Sequence, residues 1–197
     1  MICSDMPLNQ MNTNFMSWHD VEYRLEDYQD DRLNTAVRAL ERTHANGGVL
    51  LRCFHPLLGE RFGQAYQQDL RGDEHWLRCF LECETVRNQI SELKIPHPLG
   101  DVPQFTTYGA YEFEGALISL LLRGGAYVKS SLTENDARTF ARDFVDAVVG
   151  DYRDYVTVFR VDGAWTDWFC DVAWDATFIV LNPVAKCWWL FCVTDTD

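Results

Sequence analysis

Several groups of residues in this chain have types and spacings that chemistry can use, and each also has a plainer reading. His75, Cys79 and Cys83 stand at i, i+4 and i+8 in a segment of helical periodicity, so neighbouring members share a helix face and could share a soft metal such as zinc. The outer two would be roughly 12 Å apart by helix rise, too far for three consecutive ligands on one ion. Packing thiols are therefore the expectation. Cys53 and His55 would share a strand face, the minimum for a thiol nucleophile and its base, but nothing marks an orienting acid or an oxyanion hole. His55 and His97 both precede proline, where an extended conformation accounts for them. Glu112 and Glu114 have the composition of an acid/base pair, and equally of two exposed acids that complement the positive end of a helix. The terminal TDTD offers too few oxygens for a calcium loop and reads as a solubilising end to a strand.

A different signal comes from AWTDWFCDVAWDATF, residues 164–178, which mixes three tryptophans with Asp167, Asp171 and Asp175. A spacing of four puts the aspartates on one face of a helix and, being even, on one face of a strand. The apolar residues are little better: Trp165, Trp168, Phe169 and Val172 fit a helix, whereas Trp168, Cys170, Val172, Trp174, Ala176 and Phe178 alternate as in a strand and run directly into ATFIVLN, and this longer pattern makes a strand carrying a bend or bulge the expectation. Its even-numbered residues would then be core. Trp165, Asp167, Phe169, Asp171 and Asp175 would share the opposite face, either covered by another element or free to bind a partner through rigid aromatics and orienting carboxylates.

The elements that would position these residues follow from periodicity. Residues 1–15 are polar and rich in Asn and Met, and read as a loose arm. From Ser17 the pattern is that of a long helix, with Ser17 and Asp20 as a capping box, Val21, Leu25, Tyr28, Leu33, Val37 and Leu40 at helical spacing, a break near Asp30-Asp31 and a stop at Gly47-Gly48. VLLRCF, residues 49–54, fits a strand or a buried helical turn. Residues 60–93 are mostly helical with a break at Arg71-Gly72-Asp73, and IPHPLGDVPQ, residues 95–104, cannot continue a helix. That segment divides a helical lobe, 16–95, from an α+β lobe, 104–197, within what can still be one compact domain. In the second lobe YEFEGALISLLLRGG predicts a helix ended by Gly124-Gly125, and Ser131 with Glu134 opens another that buries Ala137, Phe140, Ala141, Phe144 and Val148. YVTVFRV, ATFIVLN and CWWLFCV then predict an antiparallel meander. The fold class is α+β, with helices first and a C-terminal β-meander last.

Composition narrows the partners. The formal net charge of −13 disfavours nonspecific binding to nucleic-acid phosphates or an anionic membrane face and favours a basic partner. Aromatic residues make up 14% of the chain, enough to serve both core and interface. The cysteines number seven with no CxxC pair, which fits reduced thiols in a cytoplasm. The N-terminal MICSDMPLNQMNTNF lacks a basic leader and an unbroken apolar run, so no signal peptide is expected, and no apolar stretch reaches bilayer length.

In its C-terminal third, AWTDWFCDVAWDATF followed by CWWLFCVTDTD, the chain resembles the immunity proteins of bacterial toxin systems, which are small, acidic and α+β. That resemblance is one of general type and implies a cytoplasmic protein that binds and neutralises a basic toxin domain, with no cofactor and no catalytic or metal residues. The expectation is therefore a non-catalytic protein-binding module whose contact residues are Trp165, Asp167, Phe169, Asp171 and Asp175. The alternative is a small carboxylate- or metal-dependent hydrolase.

Overall fold

A computed structural model describes residues 17–100 and 104–196. The proposed arm at 1–15 lies outside the described residues. The chain runs β1 (Tyr23–Glu26), α1 (Asp31–Glu41), β2 (Gly48–Pro56), α2 (Gly59–Gln68), α3 (Asp73–Glu82), α4 (Glu84–Gln89), β3 (Thr106–Tyr108), α5 (Ala110–Arg123), α6 (Glu134–Val149), β4 (Thr157–Asp162), β5 (Ala176–Asn182) and β6 (Cys187–Thr194), with 3-10 turns at Trp18–Asp20 and Ser91–Leu93. The fold is α+β. All six strands pair antiparallel in the order β1-β2-β6-β5-β4-β3.

The C-terminal meander forms the middle of this sheet because both of its faces are covered. On one face Trp189, Phe191, Val193 and Phe178 pack against α1, α5 and α6; on the other Trp188, Leu190, Cys192 and Ile179 pack against Trp18 and the α2–α4 helices. Every residue of β5 and β6 is buried. A strand buried on both sides has no polar face to show, which is why CWWLFCV and ATFIVLN are nearly unbroken apolar runs. Phe80 stacks on Trp188 at 4.5 Å between ring centroids, and Tyr23 accepts a hydrogen bond from the Trp188 indole at 3.2 Å, so the two-sided core has its polar atoms satisfied at this point.

The residues from Ser17 to Tyr28 do not continue a helix. Ser17 and Asp20 do cap each other, but around a single 3-10 turn, and the chain then extends as β1, pairing Leu25 with Phe54. Helical spacing of Val21, Leu25 and Tyr28 is overridden by edge pairing with β2, and α1 begins only where Asp30 accepts from the Arg32 amide at 2.8 Å. The segment 16–95 is therefore not wholly helical. Its β2 pairs with β6 from Gly48↔Thr194 to Phe54↔Trp188, so one sheet runs through both segments. The α6 helix forms as expected, although its cap is Thr133 with Asp136 rather than Ser131 with Glu134.

Of the two acids in the terminal TDTD, Asp197 lies outside the described residues and Asp195 is not solvating. Asp195 is buried, accepting from the Asn46 amide at 3.1 Å and the Ala126 amide at 2.7 Å, and so ties the β6 terminus to the turns after α1 and α5. Among the described residues no helix is long and apolar enough to cross a membrane.

Candidate functional site

Residues 163–175 join β4 to β5 as a long loop of turns and bends, and strand geometry begins only at Ala176. The expected strand over 164–178 is thus confined to its last residues. In turns the alternation of side chains no longer assigns faces, and the five residues expected on one surface separate. Phe169 is buried, edge-on to Trp168 at 5.0 Å and beside Trp165 at 6.0 Å. Asp175 is buried too. Its Oδ1 accepts from the Thr194 hydroxyl at 2.6 Å and its Oδ2 from the Val172 amide at 3.0 Å. Trp165 is half-buried, donating its indole N–H to Thr177 Oγ1 at 2.9 Å. Only Asp167 and Asp171 stand exposed, with Cys170 between them.

The loop is consequently built with Phe169 and Asp175 inward and Asp167 and Asp171 outward. Arg123 donates to the Ala173 carbonyl and sits over the Trp174 ring, closing the far side. Asp171 has a φ of 56°, a left-handed conformation that aspartate tolerates better than most residues, and this turns the chain so that the Val172 amide meets Asp175. The contacts of Trp165, Phe169 and Asp175 fix the backbone from which Asp167 and Asp171 project. A second acidic feature is a cleft of about 650 Å³ between α1 and the β1–β2 edge, where Glu26, Asp27, Glu41 and Glu92 face Arg52, itself paired with Glu92 at 2.8 Å.

The remaining constellations resolve in different ways. Glu112 accepts from the Gly109 amide at 2.7 Å and Glu114 pairs with Arg153 at 2.8 Å, so both acids serve helix ends and packing. Cys53 and His55 are joined by Cys187. The hydrogen bond with Cys187 and burial both push the Cys53 thiol upward, which keeps it protonated and a poor nucleophile.

Cys83 turns away from His75 and Cys79, donating to the Val21 carbonyl at 3.7 Å and lying 3.2 Å from Thr85 Oγ1. Its place is taken by His19, from the 3-10 turn that precedes β1. The Cys79 Sγ lies 3.5 Å from His19 Nε2 and 3.2 Å from His75 Nε2. Beside them Asp69, fully buried, accepts from Arg71 Nε at 2.8 Å and Nη2 at 2.7 Å, and the Trp76 indole donates to the Asp69 carbonyl at 2.9 Å. The Arg71 hydrogen bonds hold the Asp69 carboxyl down at about 2. Asp69 Oδ2 is 3.4 Å from His75 Nε2, the same nitrogen that faces Cys79. This is not the relay of a catalytic triad, in which the base uses one ring nitrogen for the acid and the other for the nucleophile. Burial also pushes the Cys79 thiol up to about 12 and lowers the His75 imidazole.

Two of the three members of this cluster were readable as the His75/Cys79 spacing. Its third member lies 60 residues from Cys79 and no periodicity could have brought it in. No family model, curated protein or solved structure matches the chain.

Proposed function

We propose that the protein is a non-catalytic binding module that neutralises a basic protein partner in the cytoplasm, in the manner of the immunity proteins its C-terminal third resembles. The observation that supports this reading most directly is the loop 163–175, which holds Asp167 and Asp171 outward on a frame fixed by Asp175, Phe169 and Trp165. Long irregular loops held by their own side chains are characteristically binding elements, and a contact already ordered before association loses less entropy on binding. The surplus of acid, a net charge of −13, would steer a basic partner to such a surface. Phe169 and Asp175 belong to the frame. The contact is made by Asp167 and Asp171, with the accessible edges of Trp165 and Trp168 between carboxylates and core.

The test compares the tagged protein with a D167N/D171N variant as baits, eluting with salt. A basic partner retained by the wild type, inhibited by it in its own activity, and bound about tenfold more weakly by the variant supports the reading. A partner that both baits hold equally would remove this loop from the contact. Recovery of the wild-type bait alone would count against a binding role altogether.

A further inference from the structure

We infer that His19, His75 and Cys79 form a binding site for a divalent transition-metal ion of the zinc class, with a fourth coordination position left open. Helical spacing alone groups His75 and Cys79 with Cys83, too far apart for three ligands on one ion. The fold supplies His19 instead, and with it a geometry that fits.

The three ligand atoms all lie within 4.8 Å of one another. Tetrahedral zinc with nitrogen at about 2.0 Å and sulfur at about 2.3 Å requires N···S edges of about 3.5 Å. The two such edges here are 3.5 and 3.2 Å. Each ligand comes to its place for a separate structural reason. His75 and Cys79 are one helical turn apart on α3, so their side chains emerge on the same face. His19 sits in the turn whose capping box fixes Ser17 and Asp20 on either side, and its ring meets His75 edge-on at 5.4 Å.

Polar contacts beside the three side chains hold the His19 turn against α3. Asp69 and Arg71 form a paired, charge-neutral unit against His75, and Arg71 also donates to Ser17 Oγ at 2.6 Å, joining the His19 turn to the start of α3. Because Asp69 Oδ2 lies 3.4 Å from the same His75 nitrogen that faces Cys79, it stands beside the ligand atoms rather than behind the ring. Cys79 is buried whereas His19 is exposed, which gives the ion an entry side on the His19 flank. A thiolate with two imidazoles selects zinc, cobalt or a similar borderline ion over magnesium or calcium, which require oxygen ligands. Binding displaces the Cys79 proton to solvent, so one proton is released for each ion bound.

The Cys53, His55 and Cys187 group is the internal rival, because it also offers two thiols and an imidazole. Both of its thiols are buried, however, and each already faces the other.

The test uses the full chain, reduced and stripped with chelator, titrated with cobalt(II) and then zinc. One equivalent of cobalt giving thiolate-to-metal charge-transfer absorption, displaced by zinc, is expected. H19A changes an exposed side chain and should fold. It should weaken binding at least tenfold, as should C79S, whereas C187S should bind as the wild type does. Zinc at a hundredfold excess over its Kd should raise the wild-type Tm by on the order of 5–10 °C and that of H19A by no more than about half as much at that concentration. The inference is overturned if cobalt shows no thiolate band, if H19A binds like the wild type, or if C187S rather than C79S abolishes the absorption, which would move the ion to the rival group.

Discussion

The hydroxyl of Thr194 donates to the buried Oδ1 of Asp175 at 2.6 Å, fastening the loop before β5 to the end of β6. The other oxygen of Asp175 accepts the Val172 amide at 3.0 Å. Removing this carboxylate leaves a buried hydroxyl and an amide without their acceptor, while the loop loses its inner anchor. Asp175→Ala should cost about 1–3 kcal/mol, the range for leaving a buried donor without its acceptor. Urea unfolding reads this as a lower midpoint with an unchanged slope. Asp167→Ala, at an exposed site of the same loop, should change stability by less than about 0.5 kcal/mol. Equal effects at the two positions would contradict the division of the loop into frame and surface.

Acid should undo a second anchor. The folded-state value of about 2 for Asp69 lies below the roughly 3.9 of an unfolded aspartate, because Arg71 bonds to its charged form. A depressed carboxyl contributes fully above the unfolded value and loses its contribution as pH falls through the folded one. The contribution is about 2 kcal/mol, complete above about pH 5 and mostly gone near pH 2. The stability difference between the wild type and Asp69→Asn, followed by urea unfolding from pH 7 downward, should therefore shrink below about pH 4. A gap of constant size across that range would mean that the Asp69–Arg71 pair does not stabilise the fold through its charge.

What could be read from the chain beforehand follows where burial imposes a pattern on consecutive residues. The β5 and β6 runs and the α6 face, Ala137, Ala141, Phe144 and Val148, were legible because the core touches them continuously. β1 was not, since Val21, Leu25 and Tyr28 satisfy helical spacing while the pairing that makes the segment a strand comes from β2. The acid-rich loop misled for a related reason. Its alternating apolar residues imitate a strand, but turns fold Phe169 inward from what would have been the solvent side and sink Asp175 beneath the surface. The His19–Cys79 contact depends on where the 3-10 turn docks on α3, which no local pattern encodes.

Two glycines give a direct check on close packing. A Cβ at Gly125 would lie 2.1 Å from the Thr43 carbonyl oxygen and 2.3 Å from Asp195 Oδ2, and the carbonyl is backbone that cannot swing aside. Asp195 cannot yield either without giving up the Asn46 and Ala126 amides. Gly125→Ala should therefore destabilise by at least about 3 kcal/mol, at the severe end for one added methyl group. Gly115, within α5, has no heavy atom within 4 Å of its would-be Cβ and is exposed. There alanine reduces the freedom of the unfolded chain and improves helix propensity, so Gly115→Ala should stabilise by about 0.5–1 kcal/mol. Thermal and urea unfolding of the two variants should move in opposite directions. A neutral Gly125→Ala would show that the turn after α5 does not seat against β6 as closely as the structure places it, and that Asp195 is not the clasp between them.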